Sequence, residues 1–141
     1  MAMGLRILIF EREQSLQELL DVVLAGAGHQ VQTFADPSAC PLFHLRDDAE
    51  ACCVQVQPCA DALLTDFDLV QTNALDFLKL QRRRGCKALD ANKAIMSASM
   101  TEELQQEIAA FGGRHIKKPF HLAEILAWAD GCVQRLAESK R

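Results

Sequence analysis

Short apolar runs alternate with stretches of helical period along this chain, and no other property of the sequence restricts its fold so strongly. Leu5 to Phe10 (LRILIF) is a compact run suited to a strand buried on both faces. Leu16, Leu19, Leu20, Val23 and Leu24 then share a helical stripe, opened by Ser15 as N-cap and closed by Gly26 and Gly28. Gln30 to Phe34 (QVQTF) reads as a second strand. Between Pro37 and Pro58 the pattern blurs; Leu42, Leu45, Ala49 and Cys52 predict one helix with a long irregular exit. Ala62 to Asp66 is a third strand, followed by a helix from about Asn73 to Arg83 carrying Leu75 and Leu78. Lys93 to Ser97 (KAIMS) is a fourth strand. Ser99 with Glu102 forms a capping box, with Thr101 as a competing cap, before a helix with Leu104, Ile108 and Phe111 inward. Gly112 and Gly113 stop that helix, and Arg114 to Ile116 is a very short fifth strand. A last helix carries Leu122, Ile125, Leu126, Ala129, Val133 and Leu136, weakened locally by Gly131.

Strict alternation of strand and helix favours a parallel sheet covered by helices on both faces. Right-handed crossovers put the C-terminal end of every strand on one edge, where ligands of open sheets bind. That edge would gather Glu11 and Arg12 after the first strand, Asp66 and Asp68 after the third, Ser97 after the fourth and Lys118 after the fifth.

The chain is the size of one ordinary domain, with 141 residues of which 50% are hydrophobic and 24% charged. A net charge of -4 supplies no basic field for nucleic acid or an anionic membrane, and the run Arg82, Arg83, Arg84 reads as a solvated helix end. No stretch is long and apolar enough to span a membrane, and MAMGLRILIF lacks the features of a secretory signal, so a cytoplasmic protein is expected. Its cysteines are then expected as reduced thiols. Cys86 and Cys132 read as small apolar fillers. Cys40, Cys52, Cys53 and Cys59, near His44, crowd one segment as a metal or redox candidate, but without paired CxxC spacing.

Residues 62 to 68 read ALLTDFD, which sets two carboxylates at the end of a buried strand. An aspartate there can accept a phosphoryl group, but attacker and incoming group are both anionic, so the site must supply positive charge and alignment. A divalent metal on carboxylates, Lys118 on an equatorial oxygen and Ser97 as a hydrogen-bond donor would supply both. The bland reading is that Asp66 caps a helix or turn; its coincidence with Ser97 and Lys118 at matching strand ends favours the chemical one.

In order, ILIFEREQSL, ALLTDFD, AIMSAS and HIKKPF resemble the receiver domain of bacterial two-component response regulators, the family that includes the stand-alone chemotaxis regulator. The resemblance runs from about residue 4 to 138 and implies a flavodoxin-like, doubly wound (βα)5 sandwich, an α/β fold with a five-stranded parallel sheet. It implies a single receiver domain over residues 1–141, with no output domain after it. By resemblance, Asp66 is the phosphoacceptor, served by a histidine kinase or phosphotransfer protein. Ser97 is the switch hydroxyl, Lys118 the ion partner, and the Lys118–Pro119 bond is cis. His115 stands where the family has a switch tyrosine or phenylalanine. Mg2+ would be held by Glu11, Asp66 and the backbone carbonyl of Asp68. A downstream protein or a second copy would dock on the face of the fourth helix, fifth strand and fifth helix, through Glu102, Glu103, Gln105, Gln106, Lys117, Glu124 and Trp128. No enzyme activity is implied beyond the domain's own phosphotransfer and dephosphorylation.

The chain departs from the family at the acidic pair after the first strand, where Arg12 replaces the second acid. A guanidinium cannot ligate a metal, so Mg2+ binding is expected to be weakened or lost, with Arg12 pairing with Asp66. Glu13 could substitute by a shift of one position. Val70 and Ala74 replace the proline and glycine usual after the phosphoacceptor, and the segment before the third strand is longer than usual. One alternative is a phosphorylation-independent pseudo-receiver, a pure binding module. A second is a haloacid dehalogenase-type phosphatase, in which DFDLV supplies Asp66 as nucleophile and Asp68 as general acid. That family expects its DxD strand near the domain start and a further acidic strand end after the lysine, and this chain has neither.

Overall fold

The computed structural model describes residues 4–40 and 57–139. Five strands form one parallel sheet: β1 (Arg6–Phe10), β2 (Gln30–Phe34), β3 (Ala62–Asp66), β6 (Lys93–Ser97) and β7 (Arg114–Lys117). Between β3 and the next helix lies a small antiparallel ribbon of β4 (Asp68–Leu69) and β5 (Thr72–Asn73). The described helices are α1 (Gln14–Gly26), α2 (Ala74–Arg83), α3 (Glu102–Phe111) and α4 (Leu122–Ser139). The sheet order is β2-β1-β3-β6-β7, so the chain reverses its winding direction between β1 and β3. In an open sheet of this kind that reversal leaves a crevice at the C-terminal ends of the strands.

The two-residue side-chain period of the strands divides the interior between two faces. Ile7, Ile9, Leu64, Ala94 and Met96 point to one face, with Leu20 and Leu24 of α1 and Ile125, Ala129 and Cys132 of α4. Phe10, Leu63 and Ile95 point to the other, with Leu75, Phe77 and Leu78 of α2 and Ile108 and Phe111 of α3. Leu20 and Leu24 are fully buried, and each contributes on the order of 1.5–3 kcal/mol through removal of its side chain from water. Central strands buried on both faces read as unbroken apolar runs: every residue of β6 is buried, Lys93 included. The Lys93 ammonium is satisfied by Asp90 at 3.4 Å and the Cys86 thiol at 3.6 Å.

Several local expectations are corrected. Ser15 lies inside α1, Glu13 is the N-cap residue, and the Ser15 hydroxyl donates to the Glu13 carboxylate at 2.8 Å. Leu19 and Leu122, expected inward, are exposed. Thr101 rather than Ser99 caps α3, its hydroxyl accepting from the Leu104 N–H at 3.1 Å. The fifth sheet strand runs one residue further than expected, to Lys117. Gly131 does not interrupt α4. The helix expected from Leu42, Leu45, Ala49 and Cys52 lies outside the described residues, as do Cys53 and His44. No described helix is long and apolar enough to cross a membrane.

Candidate functional site

Strand register brings the acidic and basic candidates to one edge. Phe10 is opposite Thr65, Asp66 opposite Met96 and Ser97 opposite Lys117, so Glu11, Asp66, Ser97 and Lys118 follow one another across the strand ends. Glu11 is fixed by its own N–H, which donates to the Phe34 carbonyl at 2.9 Å, and the Gln17 amide holds its carbonyl. One Glu11 carboxylate oxygen accepts from the Glu13 N–H at 3.1 Å. The other accepts from Lys118 Nζ at 3.0 Å, and the same ammonium donates to Asp66 Oδ1 at 2.8 Å.

Lys118 is thus the hub of the site. Burial lowers its pKa, but the hydrogen bonds to Asp66 and then Glu11, with their charges, outweigh burial and raise it above the ordinary lysine value. It stays charged at every physiological pH. The Asp66 side chain is 16% accessible against 3% for Glu11, so of the two acids Asp66 is the one open to an incoming group. The Lys118 N–H donates to the Ser97 carbonyl at 2.9 Å, tying β6 to the segment after β7, and the Lys118–Pro119 bond is cis. Ser97 is buried, and its hydroxyl donates to the Ser99 carbonyl at 2.7 Å.

Other expected members lie apart. Arg12 is exposed and, among the described residues, makes no ion pair; the cation beside Asp66 is Lys118. Arg12 protrudes because Glu11 takes the inward position at the end of β1. Glu13 sits at the N-cap position of α1 and its exposed carboxylate accepts from the Ser15 hydroxyl, which argues against a shift into the acidic position. Asp68 is exposed on the β4–β5 ribbon, opposite Asn73. His115 sits in β7 opposite Ile95; burial lowers its pKa, opposed by the Ser97 backbone and reinforced by Lys117. Its Nε2 is buried without a hydrogen-bond partner among the described residues. Gln17, which sequence reasoning missed, carried no signal beyond helical spacing.

The cluster leaves few donors free for a divalent metal. Both carboxylates of the cluster already share one ammonium, Arg12 stands where a third acid would be, and among the described residues no group of three His, Cys, Asp or Glu side chains could hold an ion. In the cysteine-rich segment, Cys40 is buried against the Gln81 amide and Cys59 is exposed.

No family profile matches the chain. Solved structures like it include the receiver domain of the Francisella response regulator 1452, with a TM-score of 0.72, 16% identity, and 94% of this chain and 99% of that one covered. A second is the beryllofluoride-activated NtrC4 receiver domain dimer, with a TM-score of 0.71, 13% identity, and 92% and 97% covered. A third is a two-component response regulator from Clostridium difficile, with a TM-score of 0.69, 13% identity, and 93% and 97% covered. The class that the architecture defines is therefore the flavodoxin-like fold of response-regulator receiver domains. In sequence, the chain is 30% identical over 133 residues to the alkaline phosphatase synthesis transcriptional regulatory protein SphR of Synechococcus elongatus, covering 92% of this chain and 49% of that protein. The chain spans about half the length of this curated relative.

Proposed function

We propose that the chain is a receiver-type signalling module that accepts a phosphoryl group on Asp66 from a histidine kinase or phosphotransfer protein and signals through protein contacts. The observation that carries this reading is the Lys118 ammonium held between Glu11 and Asp66 at the crevice where the sheet reverses direction. An Asp66 oxygen attacks phosphorus, the bond to the donor nitrogen breaks, and an acyl phosphate results. Lys118, already 2.8 Å from Asp66, neutralises a phosphoryl oxygen without having to be recruited. Ser97 must give up its bond to the Ser99 carbonyl to donate to another oxygen, which couples phosphorylation to the loop that precedes α3. Mg2+ plays no part in this scheme, in which Lys118 supplies the positive charge beside Asp66.

Partners would meet the face of α3, β7 and α4, where Glu102, Glu103, Gln105, Gln106, Lys117 and Glu124 are exposed and Trp128, expected on the surface, is buried. The second reading, a module that binds partners without phosphorylation, is favoured by Arg12. The phosphatase reading has no support from Asp68, whose exposed carboxylate has no hydrogen bond or ion pair among the described residues.

Incubation with a phosphohistidine-bearing phosphotransfer domain tests the proposal. The expected result is label transferred to the natural chain, discharged by alkali as an acyl phosphate is, and absent in Asp66→Asn. Label that persists in Asp66→Asn would place the acceptor elsewhere.

A further inference from the structure

We infer that the cleft between β7 and α4 is a binding site for a small phosphate-bearing anion. The cleft has a volume of about 550 Å³, within the range of small-molecule sites. Arg114 and Lys117 of β7 and Arg135 of α4 line it, and Glu124 is the one acid on its wall. The Glu124 carboxylate is engaged by the His121 N–H at 2.9 Å, whereas Arg114 and Lys117 are exposed and have no acidic partner among the described residues. The cleft therefore carries an excess of positive charge that the fold does not balance.

The cations are not merely surface charges, because Arg135 is built into place. Its Nε donates at 2.7 Å to the side-chain carbonyl of Asn92, which is fully buried and is itself held by donating to the Asp61 and Cys132 carbonyls, both at 3.2 Å. Gly131 leaves room for the guanidinium: a Cβ there would stand 3.1 Å from Nη1 and 3.4 Å from Nη2 of Arg135. A Cβ at this position would therefore press on the guanidinium and push it from its place by a few tenths of an ångström.

The wall also includes the one tryptophan. Trp128 is only 7% exposed and lines the cleft, and its buried indole N–H has no partner among the described residues. Phosphate fits, since it presents several acceptor oxygens and matches the arginine fork.

Trp128 is the only tryptophan and lines the cleft, so its fluorescence responds to binding there. The full chain would be titrated with pyrophosphate and, in parallel, with adenosine monophosphate, against chloride at matched ionic strength, with calorimetry on the same samples. We expect saturable binding of at least one phosphate ligand, roughly tenfold weaker in Arg135→Gln and in Arg114→Gln, weakened in Gly131→Ala, and unchanged in Asp66→Asn. Arg114→Gln alters an exposed residue without touching Asn92, so it remains informative if Arg135→Gln fails to fold. Pyrophosphate alone sufficing would assign the site to the phosphate group, and binding only of the nucleotide would add the base to what the cleft reads. A response that chloride reproduces, that vanishes in Asp66→Asn, or that both arginine variants retain in full would overturn the inference, as would no signal or heat at concentrations on the order of 10 mM.

Discussion

At the scale of single residues, Lys118 decides whether the site can exist. Removing it in Lys118→Ala leaves Glu11, 3% accessible, as a buried carboxylate whose remaining partner is the Glu13 N–H. The expected loss is roughly 3 kcal/mol of unfolding free energy, at the lower end for a broken buried pair because Lys118 itself reaches solvent; a denaturation midpoint within error of the natural chain would contradict it. The pH dependence follows from the sign of its shift. Its pKa in the fold is raised, so the stability it contributes is complete below the ordinary lysine value of 10.5 and is lost as pH rises through the higher folded value. Lys118→Ala should flatten that alkaline fall in stability. Asp66, Ser97 and Lys118 were legible as site candidates because strand ends in an alternating chain must meet at one edge. The Lys118 partner of Asp66 was implied by the family resemblance, but Arg12's place was not, since nothing in the order Glu11-Arg12 says which of the two side chains turns inward.

At the scale of elements, strands were easier to read than caps. A parallel strand buried on both faces appears as a continuous apolar run, so ALLTD and KAIMS declared themselves. A cap depends on which hydroxyl meets a free N–H, and Ser99 and Thr101 both had suitable spacing. The structure chooses Thr101, the residue just before α3, whose hydroxyl accepts from the Leu104 N–H at 3.1 Å. Thr101→Ala should therefore cost about 1 kcal/mol and Ser99→Ala little, as read from chemical denaturation. Equal costs would mean that the capping assignment is wrong. At the other end Gly112 adopts φ 95 and lets α3 stop where the repeated glycines suggested. The inward stripe of α1 was over-read at Leu19, because helical spacing fixes which residues share a face but not how wide a strip the sheet covers.

At the scale of the whole molecule, the sheet order β2-β1-β3-β6-β7 makes the crevice, and the crevice makes the site. The sequence pattern was sufficient for the parallel sheet and the shared edge. It could not reveal that α4 keeps Trp128 buried over a cationic cleft, because a tryptophan on an amphipathic helix has the same spacing buried or displayed. Lys118 supplies the positive charge beside Asp66, and Arg12 lies outside the pair. The central claim is that Asp66 accepts a phosphoryl group without a bound metal. The direct test is intact mass after incubation with a small phosphoramidate donor, with and without magnesium, beside Asp66→Asn and Arg12→Asp. The account expects a labile adduct on the natural chain, absent in Asp66→Asn, insensitive to magnesium in the natural chain and promoted by it in Arg12→Asp. An adduct confined to Arg12→Asp would contradict it and leave the natural chain as a module that binds without being phosphorylated.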